Sequence, residues 1–334
     1  MKTDFRSLSI EEICEQLAIP ANTLILFHRN PDADAIGSAF ALKKILSDLG
    51  SRAWCVCSDE LPERLRFLAD DEQDSVLPDS IPQELSVERI VSVDSASPAQ
   101  LGDLFALYEG RIDMMIDHHE KGEIYANHYV QCDAAATGEI MFDLVKRLAI
   151  EGRVTITDRL CTRLYAAISA DTGCFRFSNV TPKTHQRAAE LVASGIDCAS
   201  INHRLFDCNS MERLRATAAG ISNLHLFADG RVAVITFPYA LKVALGLSDA
   251  DLDGLVEIAR SLIGVRVAIS IRQPSADGVF RVSTRSSCTY DVSALCAHFG
   301  GGGHKKAAGC TVCATDMEEA MKKIVSAMDF LDLE

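Results

Sequence analysis

No apolar run in this 334-residue chain approaches the roughly 18 residues that a membrane span needs, so a membrane partner is not expected. The opening stretch, MKTDFRSLSIEEICEQLAIP, mixes charges and lacks the apolar segment of a secretory leader. It reads as an amphipathic helix, and the expected location is cytoplasmic. Basic charge is also scarce. Lys and Arg number 33 against 47 Asp and Glu, a formal net charge of −14. Proteins that grip long duplex nucleic acid by its backbone depend on basic surface, and this chain lacks the surplus. A small anionic substrate in one local positive site is still compatible, because bound divalent cations can invert the potential of an acidic protein. Internal repeats and low-complexity tracts are absent.

A second cysteine pair at zinc-site spacing is missing as well. Twelve cysteines without a secretory leader point to reduced thiols. Cys55 and Cys57, in RAWCVCSDE, lie two apart in a strand-like stretch and so share one face. Cys310 and Cys313 form a CxxC, but a structural zinc site needs a second such pair at a set distance. Both pairs are expected to pack within strands.

What is present is the composition of a folded protein, 48% hydrophobic and 24% charged, long enough for about two domains. Apolar runs TLILF (23–27), SRAWCVC, RIVSVD (89–94) and RIDMMID (111–117) read as strands. Between and after them, AIGSAFALKKILSDLG, SPAQLG, AATGEIMFDLVKRLAI, DRLCTRLYAAISADTG and TPKTHQRAAELVASG read as helices. That alternation predicts a doubly wound, mainly parallel α/β sheet. NHRLFDCNSMERLRATAAG reads as a helical connector. RVAVITF, VRVAISIRQ and VFRVSTRSS then read as strands, DVSALCAHFG as a short helix, GGGHKKAAG as a glycine-rich loop and TDMEEAMKKIVSAMDFL as a closing helix. The expected plan is a first domain over 1–195, a helical linker over 196–220 and a smaller α/β domain over 221–334.

Acids and histidines stand at the carboxyl ends of the first-domain elements. His28, Asp32 and Asp34 follow TLILF, Asp94 follows RIVSV, and Asp117, His118 and His119 follow RIDMMI, where the strand is expected to end at Ile116. Asp171 follows the helical run RLYAAISA. In open α/β sheets this edge is where ligands bind. Carboxylates and imidazoles without cysteine suit Mn²⁺, Mg²⁺ or Zn²⁺. They are too many for one ion, and two ions a few ångströms apart, sharing a carboxylate, activate water and clamp phosphate in hydrolysis. Singly, each residue has a structural alternative: Asp34 as a helix cap, Asp94 as a cap for the helix near Pro98, Asp171 as a turn residue before Gly173. As a set they point to metal.

In the second domain, Gly300 to Gly303 precede His304, Lys305 and Lys306. Glycines let backbone N–H groups face an anion, and Arg285 in STRSS can bind two oxygens at once.

Together HRNPDADAIGS, VSVDSA, IDHH, SADTGCFRFSNVTPKTH and RVSTRSS…DVSALCAHFGGGGHKKAAGC resemble, in order and over nearly the whole chain, the DHH phosphoesterase family with its DHH-associated C-terminal domain. Length and domain plan are similar to its stand-alone, NrnA-like branch. That branch acts on short oligoribonucleotides, 3′-phosphoadenosine 5′-phosphate (pAp) and dinucleotides. The resemblance implies two Mn²⁺ ions, with Mg²⁺ or other divalent ions as substitutes. His28, Asp32 and Asp94 would hold one; Asp34, Asp94, His118 and Asp171 would hold the other. His119 would contact the scissile phosphate and Asp117 would steady the histidines. Arg285, Ser286, Gly301, Gly302, Gly303 and His304 would bind the far end of the substrate. A homodimer is compatible with this plan. The chain departs from the family where an asparagine often follows the histidine pair and an acid-proline follows the next strand: here stand EKGEIYAN and VQCDAAATGE. The implied function is a dimetal phosphodiesterase on very short RNA. The rivals are a cyclic di-AMP phosphodiesterase, a non-catalytic nucleotide-binding protein and an inorganic pyrophosphatase. No metal ligand is missing, which disfavours the second rival, and the GGGHKKAAG loop disfavours the third.

Overall fold

Short apolar runs that stop at polar residues build the first sheet. The computed structural model describes residues 5–328. After α1 (Ile10–Leu17), held by a Ser9–Glu12 capping box, come β1 (Asn22–Leu26), α2 (Ala33–Asp48) and β2 (Arg52–Val56). Then follow β3 (Arg89–Val93), the short α3 (Pro98–Leu101) and α4 (Asp103–Tyr108), β4 (Met114–Asp117) and β5 (Asn127–Val130). Four helices end this part: α5 (Thr137–Ile150), α6 (Asp158–Asp171), α7 (Pro182–Ala193) and α8 (Cys198–Asn202). The five strands are parallel in the order β2-β1-β3-β4-β5. Leu24, Ile25 and Leu26 are all buried, as a strand covered on both faces requires. Helices α2, α5 and α6 pack on one face with Ile25, Val91 and Ile116, and α3 and α4 cover the other with Leu24, Ile90 and Met115. This is the expected doubly wound α/β architecture.

Three details differ from the sequence reading. β5 was not expected; its NHYV is half-buried throughout and carries no alternation. Its presence lengthens β4 by one residue, because Asp117 pairs with Val130, so the strand ends at Asp117 rather than Ile116. The cap of α2 is Asp32, whose Oδ1 accepts the N–H groups of Asp34 and Ala35. Asp34 lies inside the helix, and Ser97, not Asp94, occupies the cap position of α3.

The chain divides into two compact units between Cys208 and Asn209. Residues 196–220 are not one continuous helix: α8 passes into a π-turn at His203–Asp207, and α9 (Met211–Ser222) starts afresh on a Ser210 cap. Ile201 and Leu205 belong to the first unit's core, Ala216 to the second's.

The second unit has β6 (Leu224–Phe227), β7 (Val232–Phe237), α10 (Tyr239–Ala244), α11 (Leu255–Arg260), β8 (Val267–Arg272) and β9 (Val279–Ser286). It closes with α12 (Val292–Ala297), β10 (Gly302–His304), β11 (Ala307–Cys313) and α13 (Met317–Ser326). The sheet order is β10-β11-β9-β8-β7-β6, antiparallel except for β7 with β8. The edge strand β6 was not expected. The closing helix ends at Ser326, and residues 329–331 of the stretch read as helical lie outside the described residues. Cys55 and Cys57 are buried in one core, although Cys57 lies just past the end of β2. The 310/313 pair only half follows its expectation, since residues three apart in β11 face opposite ways: Cys310 is buried and Cys313 exposed. No helix among the described residues is long and apolar enough to cross a membrane.

Candidate metal centre

The strand order of the first unit reverses between β1 and β3, which opens a crevice at their carboxyl ends. His28 and Asp32 lie just past β1, Asp94 follows β3 directly, and Asp117 to His119 end β4. Asp171, the last residue of α6, reaches the same place. Two acid and histidine clusters result, His28–Asp32–Asp94 and Asp34–His118–Asp171, each with its ligand atoms within 4.8 Å of one another. Asp94 also falls in a third group with Asp117, His118 and His119.

Asp94 stands between the sets. Its Oδ2 lies 3.6 Å from His28 Nε2, and its Oδ1 lies 3.7 Å from His118 Nε2. Its backbone is left-handed, at φ 51°, a conformation that aspartate tolerates better than most residues. The N–H of Asp94 donates to Ile116 O at 3.0 Å, which fixes that turn to β4.

Both central histidines offer Nε2 inward. His28 Nδ1 lies 2.9 Å from Arg29 O and His118 Nδ1 lies 3.3 Å from Ala134 O. A carbonyl can only accept, so Nδ1 carries a proton in each ring and Nε2 is the nitrogen turned toward the acids. His28 Nε2 is 3.7 Å from Asp32 Oδ1, and His118 Nε2 is 3.3 Å from Asp171 Oδ2 and 3.9 Å from Asp34 Oδ2. His119 turns its Nδ1 the other way, to Asp117 Oδ1 at 2.7 Å. Asp117 Oδ1 is therefore engaged by His119 and by the N–H of His118.

Charge decides what this set can hold. Two unit negative charges no more than 4.8 Å apart repel by about 3.5 kcal/mol or more at an effective dielectric of about 20. Burial, then repulsion from Asp94 and Asp171, pushes the Asp34 carboxyl well above the usual range. Burial likewise raises Asp171, although His118 opposes it. Burial would raise Asp94 too, but the facing His28 ring and the charges of His119 and His118 outweigh it and hold this carboxyl far below the usual range. Burial would lower His28 and His118, yet the acids beside them, Asp32 and Asp171 first, hold both well above the ordinary histidine value. A cation shared by both sets would replace those protons and relieve the repulsion. Oxygen and imidazole donors, with no cysteine in the three groups, fit a hard or borderline divalent ion. Two such sets, with the Asp94 carboxylate standing between them, fit a pair.

The second unit gathers the other expected residues. Arg285 on β9 pairs in register with Ala307 on β11, which in turn pairs with His304 on β10. Its Nε donates to Glu257 Oε1 at 2.7 Å. Ser286 is buried, and its N–H donates to Lys306 O at 2.9 Å. The glycine stretch is a tight hairpin rather than an open loop. A Cβ on Gly301 would run into Gly309 O and Cys310, and Gly303 adopts φ +138° against Ala308.

The profile of the DHH family, N-terminal domain, matches residues 22–168, and the DHHA1 domain matches residues 232–329. A bifunctional oligoribonuclease and PAP phosphatase NrnA from Thermus thermophilus is 31% identical over 313 residues, 93% of this chain and 90% of the relative. The chain belongs to the DHH family. It is an NrnA-like member and a metal-dependent phosphoesterase by domain content, relatedness and the clusters above. A probable NrnA from Streptococcus mutans is 29% identical, with 87% of this chain and 90% of the relative covered. In fold, this DHH-family chain matches the crystal structure of an exopolyphosphatase-related protein from Bacteroides fragilis. The TM-score is 0.85 at 23% identity, covering 95% and 94% of the two chains.

Sequence reasoning missed the groups that hold the DHH-family acids in place. Asp34 Oδ2 accepts the N–H of Thr137 at 2.7 Å, and its Oδ1 accepts the N–H of Gly138 at 2.8 Å and the hydroxyl of Ser38 at 3.0 Å. The first N–H groups of α5 thus cradle an anion, as helix N-termini do. Thr137 Oγ1 donates to Asp94 Oδ1 at 2.9 Å. Asn179 Nδ2 donates to Asp171 O and Ala135 O, each at 3.0 Å, tying down the end of α6. The one signal for the first two was a glycine at the start of a helical pattern, in AATGE. A Cβ there would lie 2.6 Å from Ala167 Cβ, so the close approach of α5 to α6 needs glycine.

Proposed function

We propose that this chain is a two-metal phosphodiesterase that hydrolyses very short oligoribonucleotides and dinucleotides to mononucleotides, and that it also removes the 3′-phosphate of pAp. The observation that carries the reading is the Asp94 carboxylate, which turns one oxygen to each acid and histidine cluster. The relatives named as oligoribonucleases and PAP phosphatases support the substrate class.

In this reading His28, Asp32 and Asp94 would hold one Mn²⁺, and Asp34, Asp94, His118 and Asp171 would hold the other. Bound together, two such cations supply an activated water and neutralise phosphate charge. The protein's own groups do the rest. Burial would lower the His119 ring, but the bond to Asp117 and the charge of Asp94 raise it. In its protonated form this ring would donate from Nε2 to a phosphate oxygen of the scissile bond while Nδ1 stays on Asp117. Asp117 keeps that ring oriented. Arg285, Ser286 and the hairpin from Gly301 to His304 bind the nucleotide at its other end, Arg285 through its planar fork. The net charge of −14 repels long RNA and favours substrates a few nucleotides long.

The test is turnover of pApA, pAp and cyclic di-AMP side by side with Mn²⁺. The expected order is pApA first, then pAp, with cyclic di-AMP slowest. Preference for cyclic di-AMP would replace the proposed substrate, and no turnover of any of the three would overturn the reading.

A further inference from the structure

The geometry points to Thr137 as a positioning residue that sets the shared carboxylate between the two ions, an inference that rests on the two-metal reading above. Thr137 is fully buried and opens α5, 43 residues beyond Asp94 in sequence. It touches both acids that have to be aligned. Its backbone N–H holds Asp34 Oδ2 at 2.7 Å, and its hydroxyl donates to Asp94 Oδ1 at 2.9 Å.

The hydroxyl acts on a particular oxygen. Asp94 Oδ1 is the one that faces His118 Nε2 at 3.7 Å and His119 Nδ1 at 3.9 Å, while Oδ2 faces His28. Rotation of the carboxylate about its Cβ–Cγ bond would carry both oxygens out of their sets together. The backbone of Asp94, at φ 51°, is fixed by its bond to Ile116 O, so the remaining freedom lies in the side chain. The Thr137 hydroxyl takes one lone pair of Oδ1 and leaves the other for a cation. It thereby sets the plane in which Asp94 bridges.

The consequence separates from folding, because valine has threonine's shape and keeps its backbone N–H. Thr137→Val deletes the donor to Asp94 and preserves the N–H that holds Asp34. Groups that orient a metal ligand typically change metal affinity by about 10–100-fold when lost.

The experiment titrates wild type, Thr137→Val and Thr137→Ser with Mn²⁺ by calorimetry, and records the electron paramagnetic resonance spectrum of each at saturation. Near-ultraviolet circular dichroism reports the fold. Wild type is expected to bind two ions and show the signature of a spin-coupled pair. Thr137→Val is expected to bind at least the weaker ion about 10–100-fold less tightly and show isolated Mn²⁺ lines. Thr137→Ser, which keeps the hydroxyl, restores both. Thr137→Ala gives the same reading should the valine variant not fold. A wild type that binds two ions beside a folded valine or alanine variant with the same affinities and the same coupled spectrum overturns the role of Thr137 alone. A wild type that binds no ion pair overturns the metal reading on which it rests.

Discussion

His119 donates its Nδ1 proton to Asp117 Oδ1 across 2.7 Å, and the same oxygen accepts the N–H of His118 at 2.8 Å. One buried carboxylate therefore orients the His119 ring and holds the His118 backbone, and the two rings' centroids lie 4.5 Å apart. Asp117→Ala frees His119 to rotate and removes the acceptor that holds its charge. The expected result is a fall in kcat of about 10–100-fold with a smaller change in KM, measured on pApA. An unchanged kcat in a folded variant would show that Asp117 does not orient the ring during turnover.

Proton competition gives a pH dependence of definite sign. Burial alone would lower His28 and His118, but Asp32 and Asp171 respectively, with Asp94, hold both well above the ordinary 6.5. Each must lose a proton to bind a cation, so apparent Mn²⁺ affinity should rise with pH through neutrality, with proton release on binding. In chelator-treated protein the same raised values contribute stability that is present below about pH 6.5 and lost as pH rises through them. Calorimetric titrations in buffers of different ionisation enthalpy count the protons. Affinity independent of pH between 6 and 9 would contradict the assignment of these rings as ligands.

Gly138 tests the packing beneath the site. A Cβ there lies 2.6 Å from Ala167 Cβ and 3.3 Å from Asp34 Oδ1. Gly138→Ala must push α5 away from α6 and draw its N–H from Asp34. A loss of about 1–3 kcal/mol in urea unfolding is expected, as for overpacked cores, together with weaker Mn²⁺ binding. Wild-type stability and metal affinity would mean that the two helices have slack at this point.

Much of this arrangement was legible in the sequence because its signals are local. TLILF and RIVSV are buried on both faces and read as parallel strands, and the acids behind them meet because the strand order brings β1 beside β3. β5 was not legible, since a short half-buried NHYV has neither alternation nor an apolar run. The cap alternative for Asp34 fails for a physical reason. Asp32, two residues earlier, takes the cap, which leaves Asp34 inside the helix to bond with α5. Thr137 and Gly138 act on Asp34 through backbone N–H groups, which carry no residue-specific mark. The glycine stretch in the second unit looked like a loop because glycine favours open chain. Close approach of β10 to β11 is the reason glycines stand there.

Arg285 distinguishes substrate holding from metal chemistry. It belongs to the second unit, where Glu257 Oε1 lies 2.7 Å from its Nε. Arg285→Ala is expected to raise KM for pApA by about tenfold or more, the loss of a charge-assisted bond worth about 1.5–3 kcal/mol, with kcat and Mn²⁺ affinity close to wild type. A fall in kcat at unchanged KM would place this side chain in a different role.

The shared carboxylate is the centre of the account, and the hydrolysis of pApA by Asp94→Ala with saturating Mn²⁺ tests it most directly. Both clusters lose a ligand in that variant, so the account predicts a folded protein without measurable turnover beside an active wild type. An Asp94→Ala variant that cleaves pApA at a rate near wild type would contradict it.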